Sequence, residues 1–213
     1  MCRLFLRILP CVFTGIALVV LLSIPFQTAY AIDTIELKKL LASDGSGFDH
    51  FGNSVAVDGD TVVVGARFGD GVSTDTGSAY VFRWNGTDWA EHKLTASDGA
   101  GSDWFGASVA VDGDTVVVGA YLDDDDGSSS GSAYVFRWNG TGWAEHKLTA
   151  SDGAQNDWFG ASVAVDGDTV VVGAWGDDDD GSSSGSAYVF RPDGTDWACL
   201  LYTSDAADEV SPV

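Results

Sequence analysis

The chain has 213 residues, with 32 acidic against 10 basic side chains and a formal net charge of −22. So acidic a surface repels phosphate backbones and anionic headgroups, which excludes nucleic acid and lipid surfaces as electrostatic partners. Cysteine stands only at positions 2, 11 and 199, so nothing between them can rest on a disulfide or on thiol chemistry.

Residues 1–31 have the layout of a secretory signal. Arg3 and Arg7 give a basic start, residues 8–26 are apolar, and Ala29-Tyr30-Ala31 is a small-x-small cleavage site that would leave Ile32 as the first mature residue. The apolar stretch is also long enough to span a bilayer, so an uncleaved anchor is the rival reading and the one route to a membrane. Either way the expected location is outside a bacterial cytoplasm, secreted or at the cell surface.

From there a block of 54 residues is written almost three times. Phe51-Gly52 recurs as Phe105-Gly106 and Phe159-Gly160, and the run from Ser54 to Ala66 recurs from Ser108 and Ser162. A period of this size means one supersecondary unit that cannot bury its own apolar faces and stacks on copies of itself. In the second copy, residues 108–111 form a short apolar run and Asp112-Gly113 a hairpin turn. Residues 115–120 are β-branched and apolar on both faces, as in a strand covered on both sides. An acidic loop at 122–130 follows, then an aromatic strand at 131–138, a turn at Asn139-Gly140, and a strand of mixed polarity at 143–149 suited to a solvated edge. The loop at 151–157 leads to the next Phe-Gly.

Four antiparallel strands per unit, joined as a meander and apolar on both faces, predict an all-β fold and a β-propeller blade. Helical repeats are excluded by the absence of a 3.6-residue period, and a β-sandwich by the absence of a wet face. The expected blades cover about 54–96, 108–150 and 162–198. Residues 35–42 align with the fourth strand of a unit and are expected to close the last blade of a ring. About three blades are thus visible where a ring typically needs four to eight.

The third copy ends at Trp197-Ala198. Residues 199–209 resemble a translated sequencing adapter of the transposase type, so 199–213 is expected to be non-native and the protein truncated at that point. A natural divergent tail is the alternative.

Phe-Gly, then Val-Val-Val-Gly-Ala, then Gly-Ser-Ala-Tyr-Val-Phe, three times in register, resemble the FG-GAP repeat of integrin alpha-chain propellers and their bacterial relatives. The resemblance covers nearly everything from Ile35 to Ala198 and implies a seven-bladed extracellular propeller for adhesion or ligand binding, often with calcium in blade loops. One departure matters. Where the family's calcium loop would stand, before the Val-Gly-Ala strand, this chain has only Val57-Asp58-Gly59-Asp60-Thr61 and its copies. A two-residue turn cannot wrap a cation that wants about six to eight oxygens. Proline is also missing after Gly-Ala, where Arg67, Tyr121 and Trp175 stand.

The candidate Ca2+ ligands are Asp123, Asp124, Asp125 and Asp126, with Asp177, Asp178, Asp179 and Asp180 in the third copy. Carboxylates at that density, beside serines and a glycine, offer hard oxygen ligands. The alternative is a solvated loop, and the first copy has only Asp70 and Asp75. A second set recurs between units: Asp44 and Asp49, Asp98 and Asp103, Asp152 and Asp157; ordinary turn chemistry also explains these. Trp84, Trp89, Trp138, Trp143 and Trp197 would either stack on sugars or fill the core. Asn85-Gly86-Thr87 and Asn139-Gly140-Thr141 match the glycosylation sequon, at turns where Asn-Gly also serves geometry.

Catalysis has little support. His92 and His146 recur on an edge strand, and no nucleophile–base–orienter set can be built. Over the 39 positions from Phe105 and from Phe159 only 5 differ, whereas an active site needs unlike groups converging at one point. The expectation is a non-enzymatic module for an extracellular protein or glycan ligand, or a scaffold. The alternative is the accessory propeller of a secreted enzyme.

Overall fold

The computed structural model describes residues 36–193 and 196–200. The signal segment lies outside the described residues, as does the tail beyond Leu200. Residues 36–39 belong to a separate N-terminal unit and are exposed. All else described here belongs to the second unit.

That unit is all-β. Blade 1 contains β1 (Ser54–Asp58), β2 (Thr61–Ala66), β3 (Ser78–Trp84) and β4 (Trp89–Leu94). Blade 2 contains β5 (Ser108–Asp112), β6 (Thr115–Ala120), β7 (Ser132–Trp138) and β8 (Trp143–Leu148). Blade 3 contains β9 (Phe159–Asp166), β10 (Thr169–Ala174), β11 (Ser186–Asp193) and β12 (Asp196–Leu200). Each sheet pairs its strands in chain order, antiparallel, so each is the expected meander.

Local chemistry sets the registers. Asp58 pairs with Thr61 and Asp112 with Thr115, leaving two-residue turns. In them Gly59 and Gly113 take φ of 50° and 54°, which a glycine adopts without steric cost. The outer hairpin is longer than a two-residue Asn-Gly turn. Trp138 pairs with Trp143, and the Asn139 carboxamide oxygen accepts from the N–H groups of Thr141 and Gly142 and from the Thr141 hydroxyl. Asn139 therefore organises the turn through its side chain.

The second strand of each blade is apolar on both faces because each face meets a different neighbour. Val63, Ala79 and Val81 of blade 1 pack with Phe105, Val116, Val118, Tyr134 and Phe136 of blade 2. Val117, Ala133 and Val135, from the other side of blade 2, pack with Phe159, Val170, Val172, Tyr188 and Phe190 of blade 3. A third cluster, on the outer side of blade 1, gathers Leu40, Ala42 and Phe51 onto Val64, Tyr80 and Phe82. Residues 40–42 thus occupy the place that Leu94 and Ala96 take at the next seam. They form no strand, since a fourth strand has no hydrogen-bonding partner until the third strand of its own sheet is present.

Polar contacts repeat at both seams with a constant offset. The hydroxyls of Ser54 and Ser108 donate to the carbonyls of Gly106 and Gly160, both at 2.7 Å. The Gly113 N–H reaches Asp58 Oδ2 at 2.8 Å and the Gly167 N–H reaches Asp112 Oδ2 at 2.6 Å. Arg83 pairs with Asp114 at 2.6 Å, and Arg137 with Asp168 at 2.5 Å. Isolated parallel bridges join Gly77 to Phe105 and Gly131 to Phe159. The Phe-Gly pair is therefore the knob that each blade pushes into the one before it.

Candidate functional site: an acidic and aromatic loop face

The loops joining the second and third strands, and those joining one blade to the next, lie at one end of the blades. Every described non-glycine residue with positive φ is in them or in the aligned segment that enters blade 1: Phe48, His50, Asp75, Ser102, Trp104, Ser129, Asn156, Trp158 and Ser183. Such backbone costs energy and persists only where the surroundings fix it. Phe105 and Phe159 fix these loops by docking against the preceding blade, through N–H donation to the carbonyls of Thr76 and Ser130.

The aspartate run does not converge on one point. Asp123 is 4% exposed, and its Oδ2 accepts from the Tyr134 hydroxyl at 3.0 Å and from Lys147 Nζ at 3.2 Å. Asp124 accepts from the Ser129 N–H. Asp125 pairs with Lys147. The Asp126 N–H donates to the Ser130 hydroxyl. Lys147 also meets Asp98 at 2.7 Å, and Asp98 accepts from Tyr134 as well. Blade 2 thus holds an ammonium among three carboxylates, at the spot a metal cation would need. Ca2+ does not fit there while that lysine is in place.

Charge and burial follow from this arrangement. Burial alone would lower Lys147, but Asp125, Asp98 and Asp123 outweigh it and hold the ammonium above its ordinary range. Burial would raise Asp98, yet Lys147 and Tyr134 keep its carboxyl below the usual range. Desolvation pushes the Tyr134 hydroxyl far up, with Asp123 and Asp98 adding to it.

The other copies vary this theme. In blade 1 Lys93 meets Asp44 at 2.6 Å and the Asp70 carbonyl, and Tyr80 donates to Asp44 at 2.8 Å. The Lys93 hydrogen bond, with that from Tyr80, lowers Asp44. In blade 3 Tyr188 donates to Asp152 at 2.9 Å and to Asp177 at 2.7 Å. There Asp179 is raised by the negative charges of Asp177 and Asp152. Asp178 and Asp180 serve the loop through their backbone, Asp178 O accepting from Gly181 and the Asp180 N–H donating to Ser184. Among the described residues no three acidic, histidine or cysteine side chains stand close enough to hold a metal ion as placed.

The second candidate set divides by role. Asp44, Asp98 and Asp152 face the tyrosines, whereas Asp49, Asp103 and Asp157 accept the N–H three residues back and cap their own turns. Burial raises Asp103 and Asp157.

The aromatic reading also divides. Trp89, Trp143 and Trp197 pack on the three apolar clusters. The aromatics of the loop face are others, which the sequence reading did not single out as a ligand surface. His50, Phe68, Trp104 and Tyr121 follow one another edge to face, with centroids 4.9, 5.2 and 5.5 Å apart, and the Arg67 guanidinium lies 4.9 Å from both Phe68 and Trp104. At the aligned positions of the next repeat Trp158 and Trp175 lie closer to face to face, with centroids 4.1 Å apart and rings tilted by 35°, and Trp175 is 59% exposed. Phe48, His50, Phe68, Asp75, Ser102 and Trp104 line a shallow depression there. Flat aromatic faces beside carboxylate and backbone acceptors can stack on a sugar or hold an extended polar segment.

A family model for the FG-GAP repeat matches the chain three times, over residues 35–82, 89–136 and 143–190. No curated protein matches it.

Proposed function

The chain belongs to the FG-GAP repeat family, and from that premise we propose that it is an exported, non-catalytic propeller module that binds an extracellular protein or glycan through its acidic and aromatic loop face. The observation that carries this reading is the recurrence of strained, aromatic-rimmed loops at the same end of successive blades. Near-identical units present one surface several times over, which favours multivalent capture by mass action. They do not supply the unlike groups that catalysis needs.

The test is a binding screen of the protein against immobilised glycans and extracellular matrix proteins, repeated with Trp104→Ala and Trp175→Ala. The expected result is a retained ligand whose affinity falls about tenfold with either substitution. Binding indifferent to both, or turnover of the bound ligand, would sink the proposal.

Calcium belongs to the same proposal as a stabiliser of blade 3, where the negative charges of Asp177 and Asp152 raise Asp179 and a divalent cation would relieve them. Ca2+ is then expected to raise the melting temperature, and Lys147→Met to increase that gain by freeing a second acidic pocket. Identical melting in Ca2+ and in chelator, for parent and variant, would discard it.

A further inference from the structure

The Asn-Gly pairs are a motif that the proposed function leaves unused. They sit in the connections between the third and fourth strands of blades 1 and 2, where Asn85, Gly86 and Thr87, and Asn139, Gly140 and Thr141, are all exposed. In each turn the asparagine carboxamide oxygen accepts three hydrogen bonds. Those on Asn85 come from the Thr87 N–H at 3.0 Å, the Thr87 hydroxyl at 2.7 Å and the Asp88 N–H at 2.9 Å. Those on Asn139 come from the Thr141 N–H at 3.0 Å, the Thr141 hydroxyl at 2.8 Å and the Gly142 N–H at 2.9 Å. Three donors are more than the two lone pairs of a neutral carbonyl oxygen call for, and they suit an oxygen that takes on negative charge. Neither carboxamide nitrogen, nor the N–H of the glycine that follows it, donates a hydrogen bond among the described residues. Gly86 and Gly140 both take φ of 93°, and a Cβ on either would meet nothing within 4 Å, so the space around the glycine is open.

We propose that Asn85 and Asn139 are sites of self-modification, where the nitrogen of the following glycine closes on the side-chain carbon and converts asparagine to aspartate or isoaspartate. Water is the one co-reactant. In blade 2, Gly140 N attacks Asn139 Cγ and gives its proton to solvent, while the carbonyl electron pair moves onto Oδ1. The Thr141 N–H and hydroxyl and the Gly142 N–H stabilise the charge that develops there. The Cγ–Nδ2 bond then breaks, Nδ2 takes a proton from water and leaves as ammonia, and a cyclic imide remains. Water opens the imide at either carbonyl. One opening gives aspartate; the other leaves the chain running through the side-chain carboxyl, as isoaspartate. The reacting atoms belong to adjacent residues, so no encounter is needed, and glycine has no side chain to obstruct ring closure. The product residue already stands in the third copy, where the aligned pair is Asp193-Gly194. Asp193 pairs with Asp196 in the β11–β12 hairpin, at the positions that the Asn85 N–H and the Asp88 carbonyl join in blade 1. Aspartate therefore fits this turn. Each conversion adds a negative charge beside the edge strand, and isoaspartate also lengthens the backbone of the turn, so these turns record the age of the molecule.

The experiment holds the folded protein at mildly alkaline pH and follows its peptides by mass spectrometry, with isoaspartate separated by chromatography. Asn85 and Asn139 are expected to convert, while Asn53 and Asn156, which no glycine follows, stay intact. Thr87→Val and Thr141→Val lie at exposed positions, and each should slow its own site about tenfold and leave the other unchanged. Thr87→Ser and Thr141→Ser keep the hydroxyl and should keep the rate. Unfolding the chain in guanidinium chloride disperses the three donors and should slow both sites. Asparagines still intact when an unstructured Asn-Gly peptide has converted, conversion as fast or faster in the unfolded chain, or rates indifferent to loss of the hydroxyl would overturn the proposal.

Discussion

Lys147 is the side chain on which the acidic loop of blade 2 depends. Replacing it with methionine leaves Asp98, Asp123 and Asp125 facing one another without a counter-charge. The lysine is only partly buried, so the loss is expected at about 2 kcal/mol, below the figure for a fully buried pair, and denaturant unfolding measures it. Tyr134→Phe removes one donor from the buried Asp123 and should cost about 1–2 kcal/mol on the same scale. Asp44 and Asp98 are held below their ordinary 3.8, so their contribution is present above that value and is lost as pH falls through the lowered one. Asp103, Asp157 and Asp179 are raised, so they oppose folding at neutral pH and are relieved first on acidification. Stability should therefore peak in mildly acid solution and collapse below the ordinary aspartate range, which a series of melting curves checks. At the alkaline end the raised Tyr80, Tyr134 and Tyr188 stabilise the fold below pH 10. Tyrosinate absorbance should thus appear together with unfolding as pH rises past that value.

Among the elements, the glycine of each Val-Val-Val-Gly-Ala strand is set by the neighbouring blade. A Cβ on Gly119 would fall inside the radius of the Gly160 carbonyl oxygen, whereas one on Gly142 meets nothing within 4 Å. Gly119→Ala is expected to destabilise by about 3 kcal/mol and Gly142→Ala to be near neutral, both read by urea unfolding. The strands themselves were legible in the sequence, because the β-branched runs apolar on both faces, the Asp-Gly turns and the 54-residue repeat agree on one meander. The acidic site was not. Density of aspartate suggested a metal, but Lys147 stands 24 residues from Asp123, on a strand whose mixed polarity marked it only as an edge. The recurrence of Lys93 and Lys147 opposite Tyr80 and Tyr134 was the available signal. The aromatic face was hidden for a similar reason. Tyr121 and Trp175 registered only as missing prolines, and their stacking partners Trp104 and Trp158 lie in a different loop.

For the molecule as a whole, stability is a sum of unit terms and seam terms. A variant carrying one more 54-residue unit after the third copy should cover the half-buried Val171 and Val189 and the exposed Ala187 of blade 3, while presenting the same face anew on the added blade. It should therefore melt at a higher temperature than the parent with hydrophobic-dye binding little changed; an unchanged melting temperature would mean that the seams carry little energy.

The constant offset of the seam contacts has a consequence for inheritance. Each contact joins a residue to one belonging to the following unit, so deleting or duplicating any 54-residue stretch in frame rejoins matching halves. Slippage between the near-identical gene segments would thus yield progeny whose seams still match, with the chemistry of every junction unchanged.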